Sequence, residues 1–142
     1  MKTENKVSEW KIPLYKIYTD DEDLKLITKV IKRGMEWAIG PEIEEFENAI
    51  KNYINVDYCL TLNSGTSALH SAFLAYDFKK NDEIIVPSFS FISTANAVRF
   101  VNATPVFADI EEKRFGLDHH DVENKITENT KAIVPMDYGG QS

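Results

Sequence analysis

The stretch EIIVPSFSFISTANAV, residues 83–98, decides the fold class of this chain. Its first part, residues 83–86, is a mainly apolar run that Pro87 stops, which predicts a strand buried on both faces. From Phe91 onward, apolar residues recur at helical spacing through Ala95, Val98 and Val101, which predicts a helix. A buried strand that leads directly into a helix is typical of an α/β unit with a parallel sheet.

The same alternation extends on both sides of this stretch. Upstream, residues 58–62 predict a short strand, residues 63–66 a turn and residues 69–76 a helix. Downstream, strands are predicted at residues 104–108 and 132–134, with a short helix at residues 118–126 between them. We therefore expect a three-layer α/β/α fold with a mainly parallel sheet.

Two helices are predicted before this alternation. Residues 19–22, TDDE, form a capping-box pattern, and an apolar stripe follows until Gly34, the expected end of the first helix. Pro41 is expected at the first position of a second helix, which Asn55 ends.

Composition excludes several classes of protein. The chain has 142 residues, which suits one compact domain, and its 16 basic residues against 23 acidic ones give a net charge of −7. This balance argues against a nucleic-acid partner, since a protein needs clustered Lys and Arg side chains to bind a phosphate backbone. No apolar run approaches the roughly 18 residues of a membrane span, and residues 1–10 lack the apolar core of a signal peptide. Cys59, the single cysteine, cannot form an internal disulfide, so we expect a cytoplasmic protein in which Cys59 is a buried core residue.

The heptapeptide NSGTSAL, residues 63–69, is the sharpest candidate site. It lies between a predicted strand and a predicted helix, where free N–H groups and the helix dipole favour an anion. Gly65 permits close approach of a ligand to the backbone, and the hydroxyls of Ser64, Thr66 and Ser67 add donors. These features predict a phosphate cradle, although a well-capped turn that binds nothing is an equally open interpretation of the heptapeptide alone.

A second candidate, residues 87–94, follows the next strand. In open α/β sheets ligands collect beyond the carboxyl ends of the strands, so two such loops can face one site. An aromatic ring here could stack on a planar cofactor. From the residues alone, however, core positions for Phe89 and Phe91 are the favoured interpretation.

Histidines offer no persuasive metal site. His70 is expected to be a packing or surface residue of its helix. His119 and His120, with Asp118 and Asp121 nearby, resemble a ligand cluster, but adjacent histidines point in different directions on a helix, which favours a solvated turn. We expect no metal.

Taken together, these blocks resemble the DegT/DnrJ/StrS family of pyridoxal-phosphate (PLP) sugar aminotransferases, which have the aspartate-aminotransferase (type I) fold. The likeness runs from about Trp37 to Gln141, and its specificity comes from the order and spacing of moderately specific blocks. These blocks are WAIGP at 37–41, FE at 46–47, NSGTSAL at 63–69, DEIIVP at 82–87, FISTANAV at 91–98, PVFAD at 105–109 and TKAIVP at 130–135.

The resemblance implies roles for four residues. Gly65, Thr66 and Ser67 would bind the PLP phosphate, and Phe91 would stack on the pyridine ring, which reverses the core interpretation of that residue. PLP in such enzymes accepts an amino group, usually from glutamate, and passes it to a keto-sugar nucleotide. A homodimer is expected for the complete protein.

The resemblance also implies that part of the site lies elsewhere. Residues 1–36 would form an N-terminal arm and first helix, and residues 37–142 the first, incomplete part of the PLP-binding large domain. The Schiff-base lysine and the aspartate at the pyridine nitrogen belong to segments after the loop at residues 139–141. No catalytic residue is therefore assigned here, and the 142-residue chain alone is expected to be inactive.

Three alternatives remain open. A PLP-dependent sugar dehydratase of the same family has another residue in place of the Schiff-base lysine. A non-catalytic interaction or regulatory module could retain this scaffold. A nucleotide-binding Rossmann domain is disfavoured because the glycine spacing of its fingerprint is missing.

Overall fold

The computed structural model describes Ile12 and residues 16–142. The chain forms two compact units, of which the first ends at Val56 and the second is Asp57–Ser142. Most of the predicted N-terminal arm lies outside the described residues, and the domain boundary between residues 36 and 37 stays a prediction.

The described part of the first unit contains two helices, α1 (Asp21–Arg33) and α2 (Pro41–Ile54). Asp20 caps α1 and forms a capping box with Asp23, one residue later than the predicted pattern. Gly34 ends α1 with φ of 79°, in the left-handed region that glycine adopts readily.

The second helix has the predicted ends. Pro41 occupies its first turn, and Asn55 ends it with φ of 56°. Between the two helices, the Arg33 guanidinium donates to both oxygens of the Glu42 carboxylate, at 2.7 and 3.0 Å. Arg33 thereby lowers the pKa of Glu42 below its ordinary value.

The second unit is an alternating α/β structure around three parallel strands. Its elements are α3 (Gly65–Ala75), β1 (Glu83–Pro87), α4 (Ser93–Phe100), β2 (Thr104–Ala108), α5 (His119–Lys125), β3 (Thr130–Ile133) and a short 3-10 helix (Tyr138–Gly140). The strand order is β2-β1-β3, so the strand predicted at residues 83–86 is the central one, as its lack of polar alternation predicts. Pro87, which was expected to stop this strand, is its last residue.

Side chains of β1 enter two separate cores because successive residues of a strand point to opposite faces. Ile84 and Val86 pack with residues of α3 and α4, whereas Ile85 packs with Val122 of α5. All three β1 side chains are fully buried. Helices thus cover both faces of a parallel sheet, which confirms the predicted α/β/α class.

The strand predicted at residues 58–62 is wrong. This segment forms no ladder with any described strand, although it leads into α3 as predicted. A strand exists only where a neighbour pairs with it, and neither β2 nor β3 pairs with this segment at its outer edge. Cys59 is accordingly only partly buried, not the core residue that its apolar context predicts.

None of the helices within residues 16–142 combines the length and apolar character that crossing a bilayer requires.

Candidate functional site

Helices α3 and α4 begin at the same edge of the sheet. Helix α4 connects the end of β1 to the start of β2, so its N-terminus lies at the carboxyl edge of the strands. Phe78, just after α3, lines one cavity with Arg99 at the end of α4 and Thr104 at the start of β2. Because α3 therefore ends at the amino edge, its own N-terminus lies toward the carboxyl edge. The topology brings both sequence-predicted loops to one edge, on the face of the sheet that α3 and α4 share.

The start of α3 presents unused donors. The Ser64 hydroxyl accepts the N–H of Ser67 at 3.1 Å and donates to the Ser67 hydroxyl at 3.0 Å, which caps the helix. No hydrogen bond among the described residues uses the N–H of Gly65 or of Thr66. A Cβ added at Gly65 would meet no atom within 4 Å, so the space above this backbone is open.

The local charge pattern also distinguishes these helix starts. Acidic side chains occupy the first turns of α1, α2 and α5, where they complement the positive end of the helix dipole. The first turns of α3 and α4 contain none. An anion at either of these two N-termini would therefore interact with the positive end of the helix dipole, and no carboxylate in the first turn would repel it.

Phe91 lies outside the helix that the sequence assigns to it. Helix α4 starts at Ser93, and the N–H of Thr94 donates to the carbonyl oxygen of Phe91 at 3.1 Å. The Phe91 side chain is 75% exposed, and no described aromatic ring contacts it. The core interpretation is therefore wrong for Phe91, and also for Phe89, which is 47% exposed.

Three aromatic rings that the sequence reasoning did not group lie together beside this loop. Phe89 contacts Phe115 and Tyr138 with ring centroids 5.9 and 5.3 Å apart, and Phe115 contacts Tyr138 at 5.6 Å. We call these three residues the aromatic cluster. Each one follows the carboxyl end of a different strand, and that shared placement is the sequence signal that could have revealed the cluster.

Polar contacts connect the ends of β1 and β2 to α5. The Ser88 N–H extends the ladder to the carbonyl oxygen of Ala108 at 2.8 Å. The Asp121 carboxylate accepts from the Asp109 N–H and from the Lys125 ammonium, each at 2.6 Å. Lys125, and then the Asp109 N–H, lower the pKa of Asp121 below its ordinary value.

The three histidines do not form a metal site with the other described residues. His70 packs edge-on against Phe100, with ring centroids 5.3 Å apart, which confirms the packing interpretation. His119 and His120 are exposed, but they lie in the first turn of α5, and their ring centroids are 3.9 Å apart. The prediction that they lie in a turn and point in different directions is therefore wrong. Among Ile12 and residues 16–142, no group of three or more His, Cys, Asp or Glu side chains is arranged to hold a metal ion.

The chain matches the DegT/DnrJ/EryC1/StrS aminotransferase family over residues 18–142. It belongs to that family. Aminotransferases of this family depend on PLP. The UDP-2-acetamido-2-deoxy-3-oxo-D-glucuronate aminotransferase of Pseudomonas aeruginosa is 35% identical over 81% of this chain and 32% of its own length.

Solved structures show the same fold. The PseC aminotransferase of Helicobacter pylori, involved in the biosynthesis of pseudoaminic acid, aligns with a TM-score of 0.78 at 34% identity, over 88% of this chain and 34% of its own. The E. coli GDP-4-keto-6-deoxy-D-mannose-3-dehydratase, solved with hydrated PLP, aligns with a TM-score of 0.78 at 26% identity, over 87% of this chain and 33% of its own. The chain thus spans about a third of the length of these proteins.

Proposed function

We propose that this chain supplies the phosphate cradle and the ring-stacking residue of a PLP-dependent aminotransferase acting on a keto-sugar nucleotide. The observation that carries the proposal is the placement of an open helix start at Gly65 and an exposed Phe91 at one edge of the sheet. In this proposal Gly65, Thr66 and Ser67 bind the cofactor phosphate, and Phe91 packs against the pyridine ring.

The residues present fit a phosphate group. Two free backbone N–H groups at the start of α3 and the nearby hydroxyls are donors, as phosphate oxygens require, and the dipole adds a favourable field. The open space at Gly65 lets a ligand oxygen approach the backbone closely. The exposed Phe91 ring leaves a face free for a planar partner, a contact worth about 0.5–1.5 kcal/mol beyond the buried area.

In this proposal, PLP and the residues of the chain have separate roles in the reaction. Bound PLP supplies an electron sink for proton transfer at the amino-bearing carbon. The backbone of residues 65–66 holds the phosphate of PLP and thereby fixes the position of the cofactor in the site. Phe91 shields one face of the pyridine ring from water. Proton transfer itself needs groups that we place outside residues 1–142, namely the Schiff-base lysine and the aspartate at the pyridine nitrogen. We therefore expect the 142-residue chain alone to be inactive.

The amino donor and acceptor are proposed from the relatives. The P. aeruginosa relative is named for a UDP-linked 3-oxo sugar, which supports a nucleotide-linked keto-sugar as the acceptor. We propose glutamate as the donor, a homodimer as the assembly and the cytoplasm as the location of the complete protein.

Replacing Gly65 by Ala tests the cradle without disturbing the fold. The added Cβ meets nothing within 4 Å and φ is not positive, so the variant should fold like the parent. A bound phosphate would meet that methyl group, so we expect the complete gene product carrying Gly65→Ala to bind PLP at least about tenfold more weakly, the loss of one charge-assisted hydrogen bond.

A control is available at Ser71, an exposed residue further along α3. Ser71→Ala should leave PLP affinity unchanged, as measured by absorbance titration. If Gly65→Ala and Ser71→Ala bind PLP equally well, the cradle is not at the start of α3.

A dehydratase is the second candidate because the E. coli neighbour with hydrated PLP is one. Glutamate discriminates between the two functions. An aminotransferase should change the visible absorbance of its bound PLP when glutamate is added, and should release 2-oxoglutarate. PLP binding without either response would favour the dehydratase, and no PLP binding would favour a non-catalytic module.

A further inference from the structure

The aromatic cluster joins three loops that are far apart in the sequence. Phe89 lies in the loop after β1, Phe115 in the loop after β2 and Tyr138 in the loop after β3, and all three pairs of rings are in contact. The centroid distances and tilted or edge-on geometries are those of favourable aromatic pairs. Each ring is 41–47% exposed, so the cluster lies at the surface of the sheet edge and not in the core.

Phe115, a member of the aromatic cluster, has an unfavourable backbone conformation. Its φ of 62° lies in the left-handed region, which bulky residues seldom adopt and which persists only when the surroundings impose it. The surroundings here are a tight loop. The Glu111 carboxylate accepts the N–H groups of Lys113 and Arg114 at 2.8 and 2.5 Å, and the Glu111 N–H donates to the carbonyl oxygen of Gly116 at 2.9 Å.

The segment between β1 and α4 is fixed at its two ends. The Ser88 N–H is bonded to Ala108, and the carbonyl oxygen of Phe91 accepts from Thr94 in the first turn of α4. Between these points the Phe89 ring is held by Phe115 and Tyr138, whereas no described ring holds Phe91. The Ser88 hydroxyl also donates to the Asp109 carboxylate at 3.4 Å, and the Ser90 hydroxyl donates to the carbonyl oxygen of Phe91 at 3.3 Å. The ring contacts of Phe89 add to these bonds in restraining the segment that ends at Phe91.

We infer that Phe89, Phe115 and Tyr138 are positioning residues that hold the Phe91 ring in place to stack on the cofactor. This inference rests on the proposed function, because it concerns how Phe91 meets PLP. We assign the cluster no direct part in binding the phosphate, because its rings lie in the loops after β1, β2 and β3, whereas the proposed cradle lies on α3.

Phe115→Leu in the complete gene product tests this role. The substitution removes two ring contacts while keeping an apolar side chain at the surface. We expect affinity for PLP to fall about three- to tenfold, the effect of losing a well-placed aromatic contact. Affinity for inorganic phosphate, measured by competition against PLP, should not change. Tyr138→Leu should behave in the same way, and Tyr138→Phe, which keeps the ring, should match the parent.

Phe100→Leu is the matched control. Phe100 is also an exposed aromatic residue of this unit, at the far end of α4, and it contacts His70 instead of the cluster. This variant should keep the PLP affinity of the parent. If Phe100→Leu and Phe115→Leu weaken PLP equally, or if phosphate affinity falls together with PLP affinity, the cluster has no specific positioning role.

A double-mutant cycle isolates the link through Phe91. In a Phe91→Ala background, Phe115→Leu should have no further effect on PLP affinity, because the ring to be positioned is gone. Full additivity would overturn the inference. If Gly65→Ala and Phe91→Ala both weaken PLP but Phe115→Leu does not, the positioning role fails while the proposed function stands; if none of them weakens PLP, the proposed function fails as well.

Discussion

Helices α1 and α4 are stabilised in different ways. Helix α1 has a capping box at its start, a left-handed glycine at its end and no buried residue. Helix α4 has no side-chain cap at its start, yet Ala95, Ala97 and Val98 are buried against β1 and α3. The first helix is thus specified by its own termini, and the second by the core that it covers.

The apolar stripe of α1 sharpens this contrast. Leu24, Ile27 and Ile31 recur at helical spacing, as for a helix that covers a core, but each is more than half exposed. Periodicity alone therefore predicts that a helix forms and which face is apolar. Whether that face is buried depends on a partner surface, which the described residues of the first unit do not provide for α1.

The largest expected effect comes from truncating the same residue type in the two regions. Ile85→Ala removes a fully buried side chain of the central strand and should lower the free energy of unfolding by about 2–5 kcal/mol. Ile27→Ala, at a position 58% exposed, should change it by no more than about 0.5 kcal/mol. Urea unfolding of the 142-residue chain, followed by circular dichroism, measures both. Equal losses would mean that the α1 stripe is buried after all.

An intermediate effect is expected at the cap of α1. Asp20→Ala removes the acceptor for the N–H groups of Glu22 and Asp23, which should cost about 1 kcal/mol of helix stability. Amide exchange should become faster in α1 and stay unchanged in β1. Asp21→Ala is the control, since Asp21 contributes only its charge near the helix dipole, worth about 0.3 kcal/mol at an exposed position. If amide protection in α1 falls by a similar amount in both variants, the negative charge, and not the hydrogen bonds of Asp20, stabilises the start of the helix.

Much of the fold could be predicted from features that depend only on residues adjacent in the sequence. Gly34, Pro41 and Asn55 mark helix ends through their own backbone preferences, and the mainly apolar run of residues 83–86 indicates a strand buried on both faces. The strand predicted at residues 58–62 was wrong because a strand is defined by a ladder partner, which no property of the segment itself supplies.

The candidate site shows the same division. The open helix start at Gly65 could be predicted, since a strand-like segment, a glycine and three hydroxyl residues stand together in the sequence. The exposure of Phe91 required the resemblance, because spacing alone assigns that residue to the buried face of a helix. The spacing of its three members does not indicate the aromatic cluster, since they are separated by 26 and 23 positions. The one sequence signal is that each member follows a different strand.

The smallest expected effects are electrostatic, with one carboxylate in each unit. Arg33 lowers the pKa of Glu42, and Lys125 with the Asp109 N–H lowers the pKa of Asp121. A carboxyl group whose pKa is lower in the folded than in the unfolded chain stabilises the fold above its unfolded pKa. That stabilisation is lost as the pH falls through the folded pKa. Both side chains are partly exposed, so each contribution is small and screened by salt.

Acidification from pH 7 to below the ordinary carboxyl pKa of about 4 should therefore lower the melting temperature, and Glu42 in the first unit and Asp121 in the second should each contribute to this loss. Asp121→Asn should reduce this pH dependence for amide exchange in α5 and leave that of α1 unchanged, whereas Glu42→Gln should do the reverse. Because the isosteric amides remove the titration but keep the shape, a difference between wild type and variant reports the charge itself. If Asp121→Asn and wild type show the same acid sensitivity in α5, the ion pair with Lys125 contributes nothing measurable, and the stability of α5 comes from uncharged contacts such as the burial of Val122 against Ile85.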